Sequence, residues 1–193
     1  DWGSTITVGR AFWPVIQART VGGTTVINSA ICVRTPGDIF EMWEREHGVG
    51  GMEMAKSVWQ NQDEVERELF VTEVPVLSRG RSNNLAMEGA DKLGYESHVI
   101  RRYAKGCLGT GQCLQGCRAG AKQSTNLNYV PEVMTRGGRV YSCAPVHKVL
   151  FERNRAIGVT GWFQHPDNKK WGAKFAFRAK KAVVVAASAT HTP

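Results

Sequence analysis

Three cysteines fall within eleven positions of this sequence: Cys107, Cys113 and Cys117, in the stretch CLGTGQCLQGCRAGAKQSTN with spacing C-x₅-C-x₃-C. Thiols at such intervals can pair as disulfides, ligate a metal or pack as small apolar groups. Glycines at 106, 109, 111, 116 and 120 surround them. That setting suits a backbone wrapped closely around something, or simply a long loop. Cys32 and Cys143 bring the total to five. An odd count does not complete a disulfide framework, and these two read as buried thiols. A zinc ion would need a fourth ligand, which the loop does not provide.

A second stretch able to do chemistry is ARTVGGTTVIN, residues 18–28. Two glycines followed by two threonines offer bare backbone amides with hydroxyls beside them. Such a surface lets pyrophosphate oxygens approach closely. Taken alone, most Gly-Gly-Thr-Thr stretches are turns.

These loops need a scaffold. The composition, 42% hydrophobic and 22% charged, is ordinary for a globular chain, and 193 residues make roughly one or two domains. Net charge is +8, but the basic residues are scattered. They build no clustered face for nucleic acid and read as solvated surface or attraction to an anionic cofactor or substrate. No apolar run approaches a membrane span, and no signal peptide opens the sequence. The opening DWGSTITVGRAFWP and the ending ASATHTP suggest a piece of a longer protein, so localisation is open.

Along the chain, Asp38 is placed to cap a helix over IFEMWERE that ends near Gly48. Residues 52–70 read as the clearest helix, with Met54, Val58, Val65 and Leu69 as its apolar face. A linker over 73–82 precedes a helix over 83–92 stopped by Gly94. Ser124 or Thr125 would cap a helix reaching about Arg136 and closed by Gly137 and Gly138. Five strands follow: RVYSC, HKVLFE, RAIGVTGWF, GAKFAFR and KAVVVAA. Four alternate polar with apolar, as half-exposed antiparallel strands do. AVVVAA (182–187) reads as a strand buried on both faces of a larger sheet.

The motif A-R-x-V-G-G-T-T-x-I-N resembles the first signature of the glucose–methanol–choline (GMC) flavoprotein oxidoreductases. S-A-T-H-T-P (188–193) is similar to the opening half of the family's second signature. CAPVHKVLFERNRAIGVTG resembles its strand–turn–strand beside the adenine. The implied fold is α/β: part of a GMC-type FAD-binding domain, with a parallel sheet strand and an antiparallel β-meander, plus helices of the substrate domain. The implied organisation is an FAD-binding segment over 1–50 and a helical segment, partly substrate domain, over 51–105. The cysteine loop and helix would cover 106–138, and the β-meander with its returning strand 139–193.

Carried over by residue, the resemblance sets Gly22, Gly23 and Thr24 near the FAD pyrophosphate. Asn28, Ser29 and the Ile31 backbone would lie along the isoalloxazine. Val146 would hold the adenine through its main chain, and Ala187 and Ser188 would end the returning strand. The alternative for Asn28 is a turn residue, and for Val146 a plain strand position. The dinucleotide G-x-G-x-x-G would precede Asp1, and the catalytic histidine would follow Pro193. None of His47, His98, His147, His165 and His191 matches that motif, so no catalytic base is named. In one branch of the family C-x₅-C-x₃-C holds a three-iron, four-sulfur cluster, which implies Cys107, Cys113 and Cys117 as metal ligands. A loop disulfide or free thiols stand beside that reading.

The implied activity is oxidation of the CH–OH group of an alcohol, sugar or sterol by hydride transfer to flavin. The implied partners are a small-molecule alcohol and an electron-acceptor subunit. From another class, a basic, cysteine-bearing metal- or ligand-binding module without catalysis is the alternative.

Overall fold

The computed structural model describes residues 4–188 and 192, and the chain divides into two compact units, Asp1–Gly138 and Arg139–Pro193.

The first unit opens with an antiparallel pair, β1 (Ser4–Ile6) and β2 (Pro14–Ile16), in which Thr5 faces Val15. The glycine stretch follows as a short 3₁₀ turn over Gly23–Val26. The order then runs β3 (Ile31–Cys32), α1 (Gly37–His47), α2 (Gly51–Glu68), β4 (Val71–Glu73), α3 (Arg81–Lys92), β5 (Arg101–Tyr103) and α4 (Tyr129–Thr135). β5 is the centre of a small antiparallel sheet, with β3 on one edge and β4 on the other.

Both long helices form where periodicity places them, but details differ. α1 starts at Gly37 after an extended Pro36, so Asp38 sits in the first turn rather than at the cap. There its charge favours the helix N-terminus. α2 turns a different face inward from the one its apolar spacing suggests. Gly51, Ala55 and Glu66 are buried, with Trp59 and Gln62 half-buried between them, whereas Met54, Val58 and Val65 are exposed. Small residues win because α1 packs close: the Phe40 ring lies edge-on to Trp43 at 5.4 Å and to Trp59 at 6.0 Å.

Glu66 anchors α2 to the sheet. It accepts from Arg34 Nε at 2.9 Å and Nη2 at 2.8 Å, and pairs with Arg101 Nη2 at 2.7 Å. Glu66 is 5% exposed. Despite that burial, the Arg34 hydrogen bond, with Arg101, lowers its pKa to about 2.

α4 is shorter than expected. Asn128 caps it, its Oδ1 accepting from Tyr129 N at 2.5 Å. Ser124 and Thr125 turn their hydroxyls elsewhere, Ser124 to Asn126 and Thr125 to the glycine turn.

The second unit is a three-stranded antiparallel meander, β6 (Val146–Glu152), β7 (Arg155–Gln164) and β8 (Trp171–Arg178). Val149 faces Val159, and Thr160 faces Ala176. Phe175 is buried, ringed by Phe163 at 5.0 Å and Phe177 at 4.9 Å. Two expected strands are absent among the described residues. RVYSC (139–143) is irregular, and Cys143, at φ 51°, offers only its carbonyl to Gln164 N at 2.8 Å. AVVVAA (182–187) joins no ladder, and Val184 is 86% exposed. A strand apolar on both faces needs neighbours on both edges. All the sheets described are antiparallel, so the expected parallel strand is not present among these residues.

Candidate functional site

The glycine turn is built by residues a hundred positions apart. Gly22 at φ 95° and Gly23 at φ 55° bend the chain into the 3₁₀ turn, and Gly23 N–H bonds Thr20 O at 2.9 Å. One expected bare amide is therefore already used. The two glycines are required for different reasons. A Cβ on Gly22 would come within 3.0 Å of the Cβ, N and Oδ1 of Asn126, while a Cβ on Gly23 would meet nothing within 4 Å. Gly22 is glycine for packing. Gly23 faces open space, which a side chain would fill and a ligand could use.

Thr25 Oγ1 donates to Gly22 O at 2.5 Å, and Thr125 Oγ1 reaches the same carbonyl at 3.1 Å. Thr24, by contrast, is exposed. Asn28 closes the next bend. Its Oδ1 accepts from Ala30 N at 3.1 Å and from the Tyr103 hydroxyl, the turn-forming role open to Asn. Burial pushes the Tyr103 phenol up. Ser29 is half-buried, and Ile31 stands in β3 opposite Arg102.

The cysteine loop returns to this region through Lys122, 2% exposed. Its Nζ donates to Val26 O at 2.6 Å, Asn28 O at 2.9 Å and Cys113 O at 2.8 Å. All three ammonium protons are used, and burial pulls the group below its ordinary pKa.

Cys107, Cys113 and Cys117 line one cavity of about 440 Å³, together with Arg102, Lys122 and Met87. Each sulfur has its own surroundings. Cys107 Sγ accepts from Gly109 N at 3.5 Å, and Cys113 Sγ from Arg102 Nη1 at 3.4 Å. Burial alone would push the Cys117 thiol up. The amides of Lys122, Ala121 and Ala119, with the Lys122 ammonium, outweigh it and hold the thiol below its ordinary value. Arg102 Nε is buried without a partner among the described residues. Those residues also hold no group of three His, Cys, Asp or Glu side chains placed to bind a metal ion, so the thiols as placed do not form a single-ion site. All five cysteines are free.

Gly22, Gly23, Thr24, Asn28, Ser29 and Ile31 thus belong, with the three loop cysteines, to the first unit. Val146, Ala187 and Ser188 belong to the second. Val146 opens β6 opposite Gly161, next to a bulge. Ala187 N–H donates to Thr192 Oγ1 at 3.0 Å, and Ser188 has φ 94°. Lys122, Thr125 and Asn126 were not singled out from sequence as site residues. No local signal marks Lys122 as buried, since a lysine in RAGAKQS would ordinarily be exposed.

A family model described as GMC oxidoreductase matches residues 1–193. An uncharacterized GMC-type oxidoreductase of Mycobacterium tuberculosis is 37% identical over 191 residues, covering 99% of this chain and 29% of the relative. Another, of Sinorhizobium fredii, is 30% identical, covering 99% of this chain and 37% of its own length. A long-chain-alcohol oxidase of Arabidopsis thaliana is 24% identical, covering 92% of this chain and 24% of that protein. The chain therefore spans about a quarter to two-fifths of the curated relatives it matches. No solved structure matches it.

Proposed function

The chain belongs to the GMC oxidoreductase family, and we propose that it contributes cofactor-binding parts to an FAD-dependent oxidoreductase acting on the CH–OH group of an alcohol, sugar or sterol. The observation that carries this is the Gly23 α-carbon. It stands in left-handed backbone with open space where a side chain would be, and the hydroxyls of Thr25 and Thr125 brace the turn from behind.

In this reading Gly22, Gly23 and Thr24 hold the pyrophosphate, and Asn28, Ser29 and Ile31 line the isoalloxazine. Val146 serves the adenine through its main chain, and Ala187 and Ser188 end the strand that returns to the cofactor. FAD, when bound, supplies the acceptor for the hydride leaving the carbinol carbon. The chain's own residues shape and stiffen the cradle. Tyr103 and Ala30 N–H lock Asn28 Oδ1, which fixes the orientation of this side chain in the cradle. Residues 1–50 and 139–193 would form the FAD-binding domain, with 182–187 pairing in parallel with strands outside this sequence. Residues 51–105 would contribute to the substrate side and 106–138 would carry the cysteine loop.

The test is anaerobic addition of alcohols, sugars and sterols to the intact flavoprotein. Bleaching of the visible flavin band by one of these classes is the expected result. A flavin untouched by all of them would contradict the proposal. Absence of flavin altogether would favour a ligand-binding module.

A second reading adds a three-iron cluster and an electron-acceptor subunit. It rests on the cysteine spacing, with the shared cavity wall as a favouring observation. In such a cluster each thiolate takes a different iron, a demand unlike that of a single ion. About three irons per chain after anaerobic purification would support it, and iron-free protein would remove it. No step above depends on it.

A further inference from the structure

Lys122 is the largest fully buried side chain among the described residues, and its three acceptors are all neutral carbonyls. Its ammonium is thus fully hydrogen-bonded with no carboxylate bonded to it. A buried charge without a bonded counter-charge is costly. A neutral amide such as glutamine has two N–H donors and could tie two of these three carbonyls, so the charge is not needed to join any one pair of them. Two of the three bonds go to Val26 and Asn28, the last turn of the glycine stretch and the first residue of the segment that the FAD reading lays along the isoalloxazine. The third holds the cysteine loop at Cys113.

We infer that Lys122 is a positioning and electrostatic residue for the flavin. It fixes the 26–28 backbone, and its positive charge, bonded to no carboxylate, stabilises the negative charge that the ring gains on reduction. The inference rests on the FAD reading but goes beyond it by assigning a residue outside the glycine turn. Inside protein the field of such a charge is poorly screened by salt, so the effect persists at physiological ionic strength.

The test uses the intact holoprotein and two variants, Lys122→Gln and Lys122→Met. Lys122→Gln keeps a neutral donor, one bond shorter, without the charge, and covers the case in which Lys122→Met does not fold. The flavin midpoint potential is measured by dye equilibration in the absence of substrate, beside flavin content. The expected result is at least a tenfold fall in the ratio of reduced to oxidised flavin at a fixed potential. For a two-electron couple this is a shift of about 30 mV to more negative values. Either variant with bound flavin at the wild-type potential would overturn the electrostatic role, even if flavin content falls. Wild-type protein without flavin would overturn this inference and the FAD reading together, whereas normal wild-type flavin with an unmoved variant potential would overturn this inference alone.

Discussion

The hydroxyls of Thr25 and Thr125 lie 3.1 Å apart across a hundred residues of chain, and both reach the carbonyl of Gly22. Thr125 N–H also donates to Thr25 Oγ1 at 3.1 Å. The turn is held in shape by a segment distant in sequence. Thr125→Val keeps the shape of the side chain and removes its hydroxyl. We expect a loss of about 1 kcal/mol for the missing bond and faster flavin release from the intact protein, measured by recovery of free-flavin fluorescence. An unchanged release rate would mean that the brace is not coupled to the cofactor.

The two glycines should respond differently. Gly22→Ala drives a Cβ into Asn126 and should destabilise the fold by about 1–3 kcal/mol, seen as a lowered denaturation midpoint. In Gly23→Val the new Cβ meets no neighbour within 4 Å. Its cost to the fold should be the left-handed backbone strain of about 1–2 kcal/mol, so soluble protein should persist while flavin is lost. Stoichiometric flavin in purified Gly23→Val would count against the assignment.

Much of this was legible in sequence, and the failures share a cause. The end of α1 at Gly48, the span of α3 and the β6–β7 hairpin follow local rules that neighbouring residues satisfy among themselves. The buried face of α2 did not, because Arg34 and Arg101, far along the chain, make Glu66 an inward residue. Thr125 looked like a helix cap because its other partner, Gly22, lies about a hundred positions away. AVVVAA has strand chemistry, but a ladder depends on neighbours that a local pattern does not name. Nothing in RAGAKQS marks Lys122 as buried, because its role lies in three carbonyls from two loops.

Glu66 gives a pH signature. Its pKa in the folded chain falls from 4.5 to about 2, so its contribution is complete above about 4.5 and disappears as pH falls through about 2. The contribution is at most about 3 kcal/mol. Wild-type protein should exceed Glu66→Gln in urea stability at neutral pH, with the gap closing across that window. A gap independent of pH would show that the Arg34–Glu66–Arg101 cluster adds no ionic stabilisation.

The exposed AVVVAA segment should make the 193-residue chain sticky when expressed by itself. Val184→Lys places a charge in an apolar run that has no ladder partner. It should reduce aggregation measured by light scattering, without moving the meander's circular dichroism. Equal scattering from both chains would place the sticky surface elsewhere.

The account stands or falls on whether this chain's glycine turn serves FAD. The most direct measurement is cofactor released from the denatured intact protein and quantified against chain concentration, for wild type and Gly23→Val. The account predicts stoichiometric FAD in the wild type and little in a soluble Gly23→Val. Wild-type protein that carries no FAD and takes up none on reconstitution would contradict it.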